Sequence, residues 1–294
     1  MGPRQIFKQL LKRDKLLVAP GCFDGLSARL VEEAKFEAGY LSGGAVARSM
    51  GLPDIGLVTM SEVIERAAQV VAAVKIPIIA DADTGYGNAI NLVRTVREYE
   101  RVGAAAIHIE DQITPKRCGH LDGKEVISLA EMEKKLEAAL ASRNDPDFCI
   151  IARTDARGVH GLADAIKRGQ AFARLGVDAV FIEAPQSEAE LEEIPRALPD
   201  VPLLVNVFKG GKTPMLPVER LQEMGYRIAI YPSETQRAAI YAMTQALNLL
   251  KREGTTEAMD EALTTFKDRD KVVGLADWQE LERKFMNIES PKAG

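Results

Sequence analysis

Short apolar runs recur along the chain, each followed by a polar or glycine-containing turn and then by a stretch whose apolar residues fall at helical spacing. The runs lie at 16–20 (LLVAP), 38–44 (AGYLSGG), 77–83 (PIIADAD), 104–111 (AAAIHIED), 148–155 (FCIIARTD), 179–185 (AVFIEAP), 202–207 (PLLVNV) and 227–232 (RIAIYP). Between them SEVIERAAQVVAAV, AINLVRTVREYERVG, AEMEKKLEAALASR, LADAIKRGQAFARLG and VERLQEMG read as helices, several closing on a glycine C-cap. Eight alternating units predict an α/β fold, a (β/α)8 TIM barrel. A flavodoxin-like open sheet alternates in the same way, but it usually needs fewer strands and often a glycine-rich phosphate turn. No linker divides the sequence, so residues 1–294 are expected to form one barrel domain. Helical sequence beyond the eighth run exceeds what one barrel helix requires, and 255–294 is expected to be a C-terminal helical extension for subunit contacts.

Barrel strands buried on both faces should be apolar throughout, yet these carry polar groups at their C-terminal ends, the rim where such barrels place active sites. Ser42 closes the second run, Asp81 and Asp83 the third, Glu110 and Asp111 the fourth. Arg153 and Asp155, Glu183, and Asn206 close the fifth, sixth and seventh. Asp111 and Asp155 read equally well as site residues and as helix caps or ordinary loop charges. Asp81 and Asp83 are two residues apart, so on an extended strand their carboxylates share a face, where Glu110 of the next strand meets them. Three carboxylates in one pocket call for a cation, and oxygen ligands with open positions suit Mg²⁺, for which Mn²⁺ can substitute. Gly43, Gly44, Gly85 and Gly87 follow strand ends and let backbone N–H groups approach an anion. With Arg153 and Asn206 they predict a small carboxylic acid as ligand.

Composition narrows the chemistry further. A net charge of −5 with no basic tract argues against nucleic acid and acidic lipid. The N-terminus has no apolar stretch of signal-peptide form, and no segment approaches the roughly 20 apolar residues of a membrane helix, so a cytoplasmic protein is expected. Three cysteines, Cys22, Cys118 and Cys149, form no CxxC pair, which excludes a disulfide scaffold and a thiolate zinc site. Cys118 sits in the polar stretch PKRCGH, unlike a core filler, whereas Cys22 and Cys149 suit the core. His108 reads as a hydrogen-bonded barrel histidine, and neither it nor His160 is given a role.

The segments YLSGG, GLPD, ADADTGYGN, IEDQ, PKRCGH and ARTDA, in this order and spacing, resemble the isocitrate lyase and phosphoenolpyruvate mutase superfamily over roughly residues 5–250. The chain is most similar to its short-chain branch, which includes 2-methylisocitrate lyase, 2,3-dimethylmalate lyase and petal death protein. The resemblance implies that Asp83 ligates Mg²⁺ directly, that Asp81 and Glu110 hold its waters, and that Asp54 lies close by. It implies that Tyr40, Ser42, Gly43, Gly44, Gly119, Arg153, Glu183, Asn206 and Arg237 line the substrate site under a closing loop that carries Cys118. Cys118 is then the acid that protonates an enediolate, and His120 shapes the loop and contacts substrate. For the C2 hydroxyl proton two routes stay open, Tyr40 as base or acidification of the hydroxyl by the metal.

These readings predict a Mg²⁺-dependent carbon–carbon lyase that cleaves a 2-hydroxy di- or tricarboxylate to an α-keto acid such as pyruvate and a carboxylate, and the resemblance implies a homotetramer. Phosphoenolpyruvate mutases typically carry asparagine in place of CGH, and oxaloacetate hydrolases tend to have serine where Pro232 stands. A barrel kept only for binding would be expected to lose part of the metal set. In NVFKGGKTPML, 206–216, the sequence departs from the Thr-Glu-Phe-Gly segment of 2-methylisocitrate lyases, which favours 2,3-dimethylmalate or another alkylmalate.

Overall fold

The structure, a computed structural model, describes residues 1–121 and 123–286. Its strands are β1 Leu17–Cys22, β2 Gly39–Leu41, β3 Ile78–Asp81, β4 Ala106–Glu110, β5 Cys149–Thr154, β6 Ala179–Ile182, β7 Leu203–Asn206 and β8 Ile228–Tyr231. They form a closed parallel barrel in chain order, with β1 returning to β8 through the register Leu17 to Ile228 and Pro20 to Tyr231. Each predicted apolar run coincides with one strand; seven strands lie within their runs, and β1 continues two residues past its run to Cys22.

The helices are α1 Pro3–Leu11, α2 Gly25–Glu33, α3 Gly43–Ser49, α4 Met60–Ala73, α5 Ala89–Arg101, α6 Leu129–Ser142, α7 Arg157–His160, α8 Leu162–Arg174, α9 Glu188–Ala197, α10 Val218–Met224, α11 Glu234–Glu253, α12 Phe266–Val272 and α13 Leu275–Met286. Several of their starts are capped by side chains that satisfy otherwise orphaned N–H groups. Asp24 accepts from Ser27 ahead of α2, and Thr59 and Glu62 form a reciprocal box at α4.

Two apolar layers hold the barrel. One lies between strands and outer helices and contains Leu41, Ile107, Ile150 and Val205 with Val63, Val96, Leu136 and Phe172. The other fills the barrel itself with Leu17, Tyr40, Ile79, Ile151, Phe181 and Ile230, and Phe7, Leu10 and Leu11 of α1 belong to it. Arg4 donates to the Ala104 carbonyl at 3.0 Å, two residues ahead of β4, so α1 stops the N-terminal mouth and leaves the opposite rim for chemistry.

The chain forms two compact units, Met1–Gln236 and a second beginning at Arg237. That boundary falls inside α11, ahead of residue 255 where the sequence suggested that the extension starts. Among the described residues no helix is long and apolar enough to cross a membrane.

Candidate active site

Asp81 ends β3, and its carboxylate collects donors from three directions. Oδ2 accepts the Gly43 N–H at 3.2 Å and the Tyr40 hydroxyl at 3.4 Å, and Oδ1 accepts the Asp83 N–H at 3.0 Å. Asp83 is not on the strand, as the spacing suggested: it turns at φ +46°, so the two carboxylates converge through a turn and not through strand alternation. The SGG segment is the start of a short helix. Gly43 and Gly44 open α3, Ser42 caps it by accepting from Ala45 N–H at 3.3 Å, and the Gly43 N–H is spent on Asp81. A Cβ on Gly44 would lie 2.6 Å from Asp54 Oδ2, so a larger residue there would displace that carboxylate.

Lys116 reaches down from the loop after β4 and pairs with Asp54 at 2.6 Å and Asp83 at 2.7 Å. Burial opposes its charge, but Asp83, Asp81, Asp54 and Glu110 together hold the ammonium protonated. Burial pushes Asp83 up to about 6 despite Lys116. Burial raises Glu110 well above its ordinary value despite Arg153 at 3.2 Å, and its Oε1 is buried without a hydrogen-bond partner. Burial would raise Asp81 as well, yet neighbouring positive charge brings it down to about 2. His108, 3.6 Å away, is the largest of those charges where Asp81 titrates, with Lys116 and Arg153 next; burial holds His108 itself to about 4, so it is neutral at neutral pH.

Arg153, at the end of β5, lies among three carboxylates. Asp155 accepts from its Nε at 2.8 Å and Nη2 at 3.2 Å, Glu183 lies 3.3 Å from Nη2, and Glu110 completes the set. Its guanidinium also rests 5.1 Å from the centre of the Phe181 ring. Burial opposes ionisation of Glu183, but Arg153, His120 and Lys124 hold it well below the usual carboxylate range. Asn206 donates to Glu183 at 3.3 Å, and its own Oδ1 is buried and unpaired.

The loop between β4 and α6 covers this arrangement as a lid. Gln112 and Val126 pair at its neck as a single antiparallel bridge. A Cβ on Gly119 would lie 2.5 Å from Arg153 Nη2 and 2.6 Å from Glu183 Cγ, so the backbone beside Cys118 rests directly on that pair. His120 Nδ1 accepts the Lys212 N–H at 2.9 Å, leaving the Nε2 proton to face Glu183 Oε1 at 3.2 Å. Cys118 is partly buried and its thiol is raised by burial, while Cys22 and Cys149 are fully buried.

The structure therefore gathers Tyr40, Ser42, Gly43, Gly44, Asp54, Asp81, Asp83, Glu110, Cys118, Gly119, His120, Arg153, Glu183 and Asn206 at the rim. Arg237 belongs to the second unit, on α11. Sequence reasoning missed Lys116 and Lys124, and it left His108 and Asp155 without roles. The signal was present in the lid segment PKRCGHLDGK, whose basic residues bracket CGH above an acidic rim.

Residues 7–251 match the family described as phosphoenolpyruvate phosphomutase. The chain is 42% identical over 279 residues to 2,3-dimethylmalate lyase of Eubacterium barkeri, covering 95% of this chain and 96% of that protein. It is 43% identical over 277 residues to 2-methylisocitrate lyase of Aeropyrum pernix, covering 94% and 89%. A solved oxaloacetate acetylhydrolase in complex with 3,3-difluorooxalacetate superposes with a TM-score of 0.93 at 34% identity, covering 99% of both chains. The chain thus belongs to the phosphoenolpyruvate phosphomutase family and is a carbon–carbon lyase of the PEP mutase/isocitrate lyase superfamily.

Proposed function

We propose that this protein is a Mg²⁺-dependent lyase that cleaves the C2–C3 bond of a 2-hydroxy di- or tricarboxylate, with 2,3-dimethylmalate or another alkylmalate favoured, to an α-keto acid such as pyruvate and a carboxylate. The observation that carries it is the charge balance beneath the cysteine lid. Six carboxylates, Asp54, Asp81, Asp83, Glu110, Asp155 and Glu183, face three cationic side chains, Lys116, Lys124 and Arg153. Among the described residues no ready-made cage of three or more ligands exists. Mg²⁺ keeps several waters and needs few carboxylates, so an open acidic site with an orphaned Glu110 oxygen fits it. Asp83, with Asp81 and Glu110 around it, would hold the ion, which would supply a Lewis acid for the C2 oxygen and its neighbouring carboxylate.

The chain's own groups divide the remaining work. Burial, with Asp81 next, pushes the Tyr40 phenol well above its ordinary value, so Tyr40 stays protonated and orients through His108 at 2.8 Å. Tyr40 acting alone is then not the base. The C2 hydroxyl gives up its proton to water and its O–H electron pair makes C2 the ketone carbon, while the C2–C3 electron pair passes to C3 and the attached carboxylate. The Cys118 S–H proton goes to C3, and the thiolate takes a proton back from water. Arg153, fixed by Asp155 and Phe181, stabilises the negative charge of the enediolate with no reorganisation.

A panel of 2-hydroxy acids, with pyruvate release coupled to lactate dehydrogenase, tests the reading. Turnover with Mg²⁺ that is lost on chelation and restored by Mg²⁺ or Mn²⁺ is expected, with kcat/KM higher for 2,3-dimethylmalate than for 2-methylisocitrate. Full activity after exhaustive chelation sinks the metal assignment. Preference for 2-methylisocitrate overturns the alkylmalate assignment, and oxalate release from oxaloacetate as the fastest reaction moves the protein to the hydrolase reading.

A further inference from the structure

The neck of the lid is fixed by backbone bonds: Ile113 N–H donates to Glu125 at 2.9 Å, and Ile127 N–H to Asp111 at 2.8 Å. Those bonds lie at the base and do not hold the tip, where Cys118 sits. Among the described residues three side chains of the lid form ion pairs with the barrel, and Thr114 adds a hydroxyl contact to Thr84 at 3.0 Å. Lys116 pairs with the acidic residues Asp54 and Asp83, and His120 faces Glu183. Lys124 differs, because it touches none of the residues given to metal or substrate except through the lid itself. Its ammonium donates to the Gly119 carbonyl, beside Cys118, and to Asp155 Oδ1 at 2.8 Å. The Lys124 and Asp155 side chains are 3% and 0% exposed, so the pair is shielded from water and screening.

Asp155 is itself a fixed point. Its N–H donates to Asp111 Oδ1 at 2.9 Å, and Asp111 is held by Thr154 at 2.7 Å and by Arg168 of α8 at 2.9 Å. The Asp155 carboxylate thus orients Arg153 through both oxygens and anchors the lid through Oδ1, which Lys124 and Arg153 Nη2 share. We propose that Lys124 is a positioning residue that clamps the Cys118 lid shut by tying the Gly119 carbonyl to Asp155. Lid closure and Arg153 placement become one event, since Lys124 can leave only by exposing the carboxylate that aligns the arginine.

The proposal deepens the lyase reading and rests on it for turnover, but not for lid position. Lys124→Met and Lys124→Gln are compared with the unaltered protein by the rate at which iodoacetamide alkylates Cys118, followed by peptide mass, with buried Cys22 and Cys149 as internal controls. Loss of one partner from a buried pair opens the lid, so Cys118 alkylation is expected to rise about 10-fold or more while the two controls stay unreactive. The kcat for the best hydroxy acid is expected to fall about 10-fold or more with a smaller change in KM, because proton delivery follows closure. Unchanged Cys118 alkylation in folded variants overturns the proposal. So does collapse of both variants by far-UV circular dichroism, since that makes Lys124 a requirement of the barrel and not a clamp. If the unaltered protein turns over no hydroxy acid, the lyase reading fails while the alkylation ratio still decides the role of Lys124.

Discussion

A thiol suits late proton delivery because it holds its proton at neutral pH yet gives it up more readily than a hydroxyl. Burial pushes Cys118 up from its ordinary value, more than the His120 N–H lowers it, so the proton is kept to higher pH. The sign follows directly: the acid is competent below the raised pKa and lost above it. The alkaline limb of kcat is therefore expected above the ordinary thiol value of about 8.5, and a limb centred well below it would remove Cys118 as the donor. Cys118→Ser is expected to lower kcat by roughly 10² to 10⁴ with the fold intact. Cys22→Ser is the control, since that thiol lies fully buried 3.5 Å from the Tyr40 carbonyl, away from the lid. Equal losses in both variants would contradict the role. The cysteine was legible in sequence because a lid is polar where a core is not. Lys116 and Lys124 were not legible, because a lysine in a loop reads as solvated until the fold shows which carboxylates it meets.

The strands were legible because each is an apolar run ended by polar residues that cannot stay in a buried ladder, as Asp81 ends β3 and Asn206 ends β7. Helices closed by clear periodicity, such as α4, α5 and α8, were read to within about two residues, the usual scatter of helix ends. The short α3 was hidden because its Gly-Gly start resembles an anion-binding turn, and α1 because nothing local shows that Phe7, Leu10 and Leu11 enter a barrel. The plug by α1 has a measurable consequence at this scale. Phe7 is 0% exposed, so Phe7→Ala is expected to cost about 3–5 kcal/mol of stability through lost contacts and a residual cavity. Because α1 fills the mouth opposite the rim, kcat/KM at a temperature where the variant is folded should stay near the unaltered value. Denaturant unfolding and turnover measured together check this, and a large loss of kcat/KM in the folded variant would mean that the plug also shapes the site.

The second unit leaves much apolar surface in contact with water. On α13, Trp278, Leu281 and Phe285 are 66%, 44% and 73% exposed, and their spacing puts them on one face. On α11, Ile240, Met243, Leu247 and Leu250 make a second stripe of the same kind. Contiguous apolar stripes of this extent mark an interaction surface. Burying the three α13 residues contributes at most about 5–9 kcal/mol at roughly 1.5–3 kcal/mol each. Association costs about 4–15 kcal/mol, so that stripe alone barely holds two chains together, and α11 has to share the interface. We therefore expect a homo-oligomer built through both helices, and a tetramer as the family resemblance implies. Light scattering at micromolar concentration should give four times the chain mass. Trp278→Glu combined with Leu247→Glu should give smaller species with the barrel still folded, since neither residue lies in the unit that ends at Gln236. A monomer in the unaltered protein would overturn the assembly, and a tetramer indifferent to the double substitution would place the interface on another face.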